Sequence, residues 1–214
     1  MVNLSTFNSI ANHIIAELRD VQVQKDSQRF RKNMEKLGGI LAYEASKNLS
    51  YQPTEIQTPL GKSPSAIIDT KIVIATILRA GVPLYQGVLN YFDKADSAFV
   101  GAFRNEDGDA EHLTVSTHYT AGPSIKDKIL IIADPMIATG KSLLSAYQAI
   151  CKGNSPKELL ILSAIASQPG IDFLEKHLSN FSLYVGAVDP QLNQHAYIVP
   201  GLGDAGDLAF GEKI

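Results

Sequence analysis

Ile129-Leu130-Ile131-Ile132-Ala133-Asp134-Pro135-Met136-Ile137-Ala138-Thr139-Gly140-Lys141-Ser142 is the stretch on which the fold turns. Four consecutive branched apolar residues read as a strand buried on both faces, ending at Asp134-Pro135 and a small, hydroxyl-rich turn. Leu143, Leu144, Tyr147 and Ile150 then fall at helical spacing. The amides of Ala138 to Ser142 therefore lie at a helix N-terminus, where orphan N–H groups bind phosphate. Gly140-Lys141-Ser142 invites a P-loop reading, but the position where that loop starts its wrap with glycine is Pro135, which has no N–H to offer. Asp134 would also sit against a polyphosphate with no evident counter-charge, so a kinase or ATPase is a weak reading. An acid at the strand end suits sugar hydroxyls, while Thr139, Ser142 and the neighbouring amides suit one phosphate; together they fit a ribose 5-phosphate.

Working outward, Lys71 to Leu78, Ala98 to Phe103, Lys128 to Ile132, Leu159 to Ile165 and Phe181 to Val188 read as strands, mostly with helical segments between them. This alternation predicts an α/β fold with a mainly parallel, twisted sheet flanked by helices, as one domain over 1–214. Ligands bind such sheets beyond the carboxyl ends of the strands, where Arg79, Arg104 and Asp134 each stand. Phe7, Ile10, Ala11, Ile14, Ile15 and Leu18 predict a first N-terminal helix. Phe30, Met34, Leu37, Leu41 and Ala45 predict a second, capped by Asp26 or Ser27, and both stripes suit core or subunit packing. Tyr51 to Pro64 reads as a loop from its prolines and polar residues. Thr114 to Tyr119 reads as one side of a hairpin arm that follows the acidic, turn-rich Asn105-Glu106-Asp107-Gly108-Asp109.

Composition narrows the function classes. A net charge of −3 with no basic cluster argues against a nucleic-acid surface. There is no long apolar span and no signal-like start, so a cytoplasmic protein without membrane contact is expected. The single cysteine, Cys151, reads as a packed thiol rather than a nucleophile. A polyanionic small ligand remains compatible with this charge if Arg79, Arg104 and Lys141 are focused locally and Mg²⁺ neutralises part of the load.

At this point the residues resemble a family. Asp134 to Ser142 looks like the phosphoribosyl-diphosphate (PRPP) loop of uracil phosphoribosyltransferases. Ile77-Leu78-Arg79-Ala80-Gly81 resembles that family's diphosphate loop, and Tyr197-Ile198-Val199-Pro200-Gly201-Leu202-Gly203-Asp204-Ala205-Gly206-Asp207 its uracil-binding tail. Leu18-Arg19-Asp20 and Phe30-Arg31 fit its helical N-terminal region more loosely. The resemblance implies transfer of ribose 5-phosphate from PRPP to N1 of uracil, giving UMP and diphosphate in pyrimidine salvage. It implies that Asp134, Pro135, Met136, Ile137, Ala138, Thr139, Gly140, Lys141 and Ser142 hold PRPP and that Arg79 and Arg104 bear on the diphosphate. The backbone of Ile198 and of Gly203 to Ala205 would read the base, with Asp204 facing PRPP and its Mg²⁺. It further implies a homodimer or higher homo-oligomer, a hairpin arm that covers the site or grips a partner subunit, and GTP as a candidate effector. Two other readings stand beside it: a pyrimidine-sensing regulator of the same fold, and a phosphoribosyltransferase for another base.

Gly201-Leu202-Gly203-Asp204-Ala205-Gly206 also satisfies a dinucleotide-binding pattern, but only eight residues follow it, too few for the helix and acid that pattern requires. Three positions depart from the family. Leu208 stands where arginine is frequent, Thr120-Ala121-Gly122 lacks the usual lysine, and Lys141 occupies a glycine position. A side chain at a left-handed position costs about 1 to 2 kcal/mol, and a cation at a helix N-terminus roughly 0.3 to 1 kcal/mol. Both costs make sense if Lys141 meets a bound phosphate. His13, His112, His118, His177 and His195 show no metal-ligand spacing, and His112 and His118 sit on the expected arm.

Overall fold

The computed structural model describes residues 1–104 and 115–213 and, within them, all side chains but those of 102–104 and 115–118. Its central sheet runs in the order β1-β10-β9-β7-β4-β5-β6, from β1 (Val2–Asn3), β10 (Phe181–Asp189), β9 (Glu158–Ser167), β7 (Ile129–Ala133), β4 (Ile72–Leu78), β5 (Asp96–Arg104) and β6 (Val115–Ala121). All neighbours are parallel except β5 and β6. A short β8 (Met136–Ile137) pairs with β9 beyond the end of β7. Ile129 to Ala133 are all buried, as a central parallel strand covered on both faces requires.

Successive residues of each strand feed opposite faces. On one, Ile72, Ile74, Ile129, Ile131, Leu160 and Leu162 pack with α1 (Ile10–Arg19), α2 (Ser27–Ser46) and α3 (Val82–Leu89). On the other, Val73, Ala75, Leu130, Ile132 and Ile161 pack with α4 (Lys141–Cys151) and α5 (Gln168–His177). Ser9 caps α1 and Asp26 caps α2, the latter accepting from the amides of Gln28 and Arg29 at 3.0 Å. The expected apolar stripe from Phe30 to Ala45 is buried throughout.

One expectation is overturned. Tyr51 to Pro64, whose prolines and polar residues predict a loop, lies instead in a two-stranded antiparallel ribbon, β2 (Tyr51–Thr58) and β3 (Gly61–Ile68), outside the main sheet. Its prolines are tolerated because both edges of an isolated pair are free: Pro53 faces Ala66 and Pro64 faces Glu55. The expected arm pairs β5 with β6, with a register shift between Gly101 and Ala102. Its acidic connection 105–109 and His112 lie outside the described residues, as do the side chains of Arg104 and His118.

Candidate active site

The stretch that follows β7 forms a loop closed by the N-terminus of α4. Asp134 is buried at the strand end, its amide donating to the Leu162 carbonyl at 3.1 Å. β8 then ties Met136 and Ile137 to the far end of β9, so the loop is fastened before it turns. The turn itself is made by Gly140, at φ +76°. A Cβ there would lie 2.9 Å from both the Gly170 carbonyl oxygen and Phe173 Cδ1, so the position demands glycine in conformation and in space. Lys141 is the first residue of α4; the left-handed position assigned to it belongs to Gly140, and that cost is absent.

Ser167, fully buried where β9 meets α5, supports the loop from behind. Its Oγ donates to the Ala138 carbonyl at 2.6 Å and accepts from the Gly170 amide at 2.9 Å. One hydroxyl thereby caps a helix and anchors the loop that follows β7. Residues 134–142 thus stand together as one turn, held by β8 on one side and Ser167 on the other.

The second motif is joined to the first through the sheet. Thr76 Oγ1 donates to the Ala133 carbonyl at 3.1 Å. Gly81 folds back onto the same place: a Cβ would sit 2.8 Å from the Ile77 carbonyl oxygen and 3.1 Å from that of Ala133. The peptide between Leu78 and Arg79 is cis. Arg104 closes β5, three residues past Gly101, the partner of Leu78 at the end of β4. At about 3.3 Å per residue it is carried roughly 10 Å beyond the β4 edge, on the arm rather than level with Arg79.

The third motif lies across the second. Asp204 caps α6 (Ala205–Phe210), its Oδ1 accepting from the amides of Gly206 at 2.8 Å and Asp207 at 3.1 Å. Arg79 Nη2 donates to Asp207 Oδ1 at 3.3 Å and to the Gly211 carbonyl at 3.2 Å. This pair is substantially exposed, so it contributes little to stability. Ile198 is buried in β12 (Ile198–Val199), which pairs with β11 (Gln191–Leu192), and the next peptide, Val199–Pro200, is cis.

The sequence reading places Arg19 and Arg31 in the N-terminal helical region without a role in the site, and it does not single out Asp189. Arg19 and Asp189 form a forked ion pair at 2.8 Å beneath the tail, and Arg31 Nη1 donates to the Ala209 carbonyl at 2.6 Å. The available signal was Asp189-Pro190, which ends β10 as Asp134-Pro135 ends β7. Cys151 is buried beside Tyr147; burial pushes its thiol up, opposite to what a nucleophile needs, and pushes the Tyr147 hydroxyl up to about 12. No group of three or more His, Cys, Asp or Glu side chains among the described residues is placed to hold a metal ion alone.

The chain is similar to known proteins over nearly its whole length. A relative from Porphyromonas gingivalis, named uracil phosphoribosyltransferase, is 45% identical over 215 residues, covering 100% of this chain and 99% of its own. One of the same name from Thermococcus gammatolerans is 39% identical over 204 residues, covering 94% of this chain and 89% of its own. A solved structure of a protein from Aquifex aeolicus superposes with a TM-score of 0.88 at 33% identity, covering 100% of this chain and 99% of that one. The family model described as uracil phosphoribosyltransferase matches residues 6–212, a span containing all three loops, and this chain belongs to the uracil phosphoribosyltransferase family.

Proposed function

We propose that the chain transfers ribose 5-phosphate from PRPP to uracil, giving UMP and diphosphate in pyrimidine salvage. The observation that carries this reading is the convergence of three loops. The phosphate loop and the Arg79 loop meet through Thr76, Gly81 and Ala133, and the tail is latched onto Arg79 through Asp207. A ligand with a phosphate at one end, a diphosphate at the other and a flat base beside it matches that spacing of chemistries.

In the reaction N1 of uracil forms a bond to C1 of the ribose as the bond from C1 to the diphosphate oxygen breaks, and the N1 proton leaves to solvent. The transition state resembles a ribosyl cation, so the protein acts by positioning and by stabilising charge. The amides of Ala138 to Ser142 and the hydroxyls of Thr139 and Ser142 hold the 5-phosphate, with Pro135, Met136 and Ile137 shaping the approach and Lys141 adding a cation. Asp134 accepts from the ribose hydroxyls. Arg79 leaves the tail for the departing diphosphate, and Arg104 reaches it from the arm; a guanidinium stays charged and offers forked donors throughout. The main chain of Ile198 and of Gly203 to Ala205 aims N1 and reads the amide edge of the base.

Mg²⁺ fits this donor set as a guest of the substrate, because it keeps several waters and binds through one or two carboxylates plus phosphates. Asp204 is the carboxylate we assign to it, and bound there the ion would disperse charge on the leaving diphosphate. We also propose a homodimer or higher homo-oligomer, residence in the cytoplasm and GTP as an effector. No helix among the described residues is long and apolar enough to cross a membrane.

Diphosphate release from PRPP and Mg²⁺ with uracil, cytosine, hypoxanthine or orotate tests the assignment. Turnover with uracil is expected. Turnover confined to hypoxanthine or orotate would overturn it.

A further inference from the structure

One buried ion pair in the molecule serves neither the phosphate loop nor the apolar core. Arg19, the last residue of α1, lays its two terminal nitrogens against the two oxygens of Asp189, the last residue of β10, both at 2.8 Å. Each partner makes a second contact, and both go to one residue of the tail. Arg19 Nη1 donates to the Gly201 carbonyl at 3.0 Å, and the Gly201 amide donates to Asp189 Oδ2 at 2.9 Å. The pair therefore grips both polar groups of Gly201, which sits at φ +60° where a Cβ would collide with the Ile198 carbonyl oxygen. Gln24 secures the same corner: its Nε2 donates to the Arg19 carbonyl at 3.3 Å, and its Oε1 lies 4.0 Å from where a Cβ of Gly203 would be.

We propose that Arg19 and Asp189 are positioning residues that set the base-reading edge of the tail by clamping Gly201. This rests on the reading above that the main chain of Gly203 to Ala205 recognises uracil. The Asp189 side chain is 6% exposed and that of Arg19 23%, so both charges are substantially withdrawn from water. A buried ion pair adds little net stability over an apolar pair of the same shape, so stability alone does not account for it. What the fork supplies is direction. Two charge-assisted bonds on one carboxylate and one on each side of Gly201 hold that residue rigidly, two positions before Gly203. Hydrogen bonds from main chain to a planar base weaken steeply once their angles open, so a small rotation at Gly201 is felt as lost affinity for the base. The 5-phosphate and ribose of PRPP are held by the β7 loop and its diphosphate by Arg79, and the tail meets PRPP only through Asp204 and the Mg²⁺ assigned to it, so the clamp should weigh far more on uracil than on PRPP.

Arg19→Gln, Arg19→Lys and Asp189→Asn decide the matter in steady-state kinetics of the full chain. Arg19→Gln and Asp189→Asn should each raise the KM for uracil about tenfold or more, the loss of one charge-assisted bond, while the KM for PRPP stays within about twofold. Arg19→Lys, which keeps the charge without the fork, should lie between wild type and Arg19→Gln. The Arg19→Gln/Asp189→Asn double variant should lose little beyond either single one, because the two residues act as a unit. Hydrogen exchange should quicken at the amides of Gly201 to Ala205 and remain unchanged in β7 and β4. A uracil KM unmoved in the folded variants, an equal rise in both KM values, or unchanged exchange in the tail would overturn the clamp. A wild-type enzyme indifferent to uracil would overturn the base-reading assignment instead, and the exchange comparison would still judge the clamp.

Discussion

Replacing Ser167 by alanine deletes one oxygen and orphans two main-chain groups. The hydroxyl is fully buried, donates to the Ala138 carbonyl at 2.6 Å and accepts from the Gly170 amide at 2.9 Å. Losing a helix cap costs about 1 kcal/mol, and leaving a buried acceptor unpaired adds about 1 to 3 kcal/mol, so a loss of roughly 2 to 4 kcal/mol is expected. For a chain of this length each kcal/mol lowers the melting temperature by about 2 to 4 °C, which places the fall at roughly 4 to 16 °C. Because the freed carbonyl belongs to the loop proposed to hold the 5-phosphate, the KM for PRPP should rise several-fold while that for uracil holds. Thermal and urea unfolding, run beside kinetics below the new midpoint, measure both effects. A stability loss under about 0.5 kcal/mol would refute the burial argument. A full loss of stability with an unchanged PRPP KM would refute the claim that Ser167 supports the loop.

Gly140→Ala should destabilise by at least the left-handed cost of about 1 to 2 kcal/mol and raise the PRPP KM, since its Cβ would press on Gly170 and Phe173 at 2.9 Å; chemical unfolding and PRPP titration report both. Lys141→Gly should weaken PRPP binding and flatten its dependence on salt, and an unchanged KM at every ionic strength would show that Lys141 does not meet the phosphate. The Arg29 fork and the Asn33 amide hold the Glu17 carboxyl down at about 2 against an ordinary 4.5. With the folded value lowered, the stabilisation is complete above about 4.5 and is lost as the pH falls toward 2; Glu17→Gln should show a shallower acid decline across that window in circular dichroism, and an unchanged curve would count against the linkage.

The parts of this molecule that a linear reading recovers are those whose neighbours in space are neighbours in sequence. Ile129 to Ser142 spells a strand, a turn and a helix start in order, and each appears within a residue or two of its expected place. The ribbon of 51–68 was missed because its strands bury almost nothing, so the alternation that reveals a half-buried strand is absent and its prolines read as breaks. Lys141 was placed one residue too early in the turn: the left-handed conformation fell to Gly140, which needs no accommodation. The roles of Arg19, Asp189 and Ser167 are hidden for another reason. Their work is done on main-chain atoms far away in sequence, and a main-chain atom carries no residue code.

The contact between Arg19 and Gly201 closes a loop of 182 residues. A closure of that span costs chain entropy that nothing local returns until the sheet between its ends exists. The phosphate loop, by contrast, is assembled from adjacent segments and from the neighbouring β9. We therefore expect the two halves of the site to mature in sequence during folding, the PRPP half before the uracil half. Refolding followed by PRPP protection and uracil protection in parallel would show the first arriving before the second; simultaneous arrival would contradict this order.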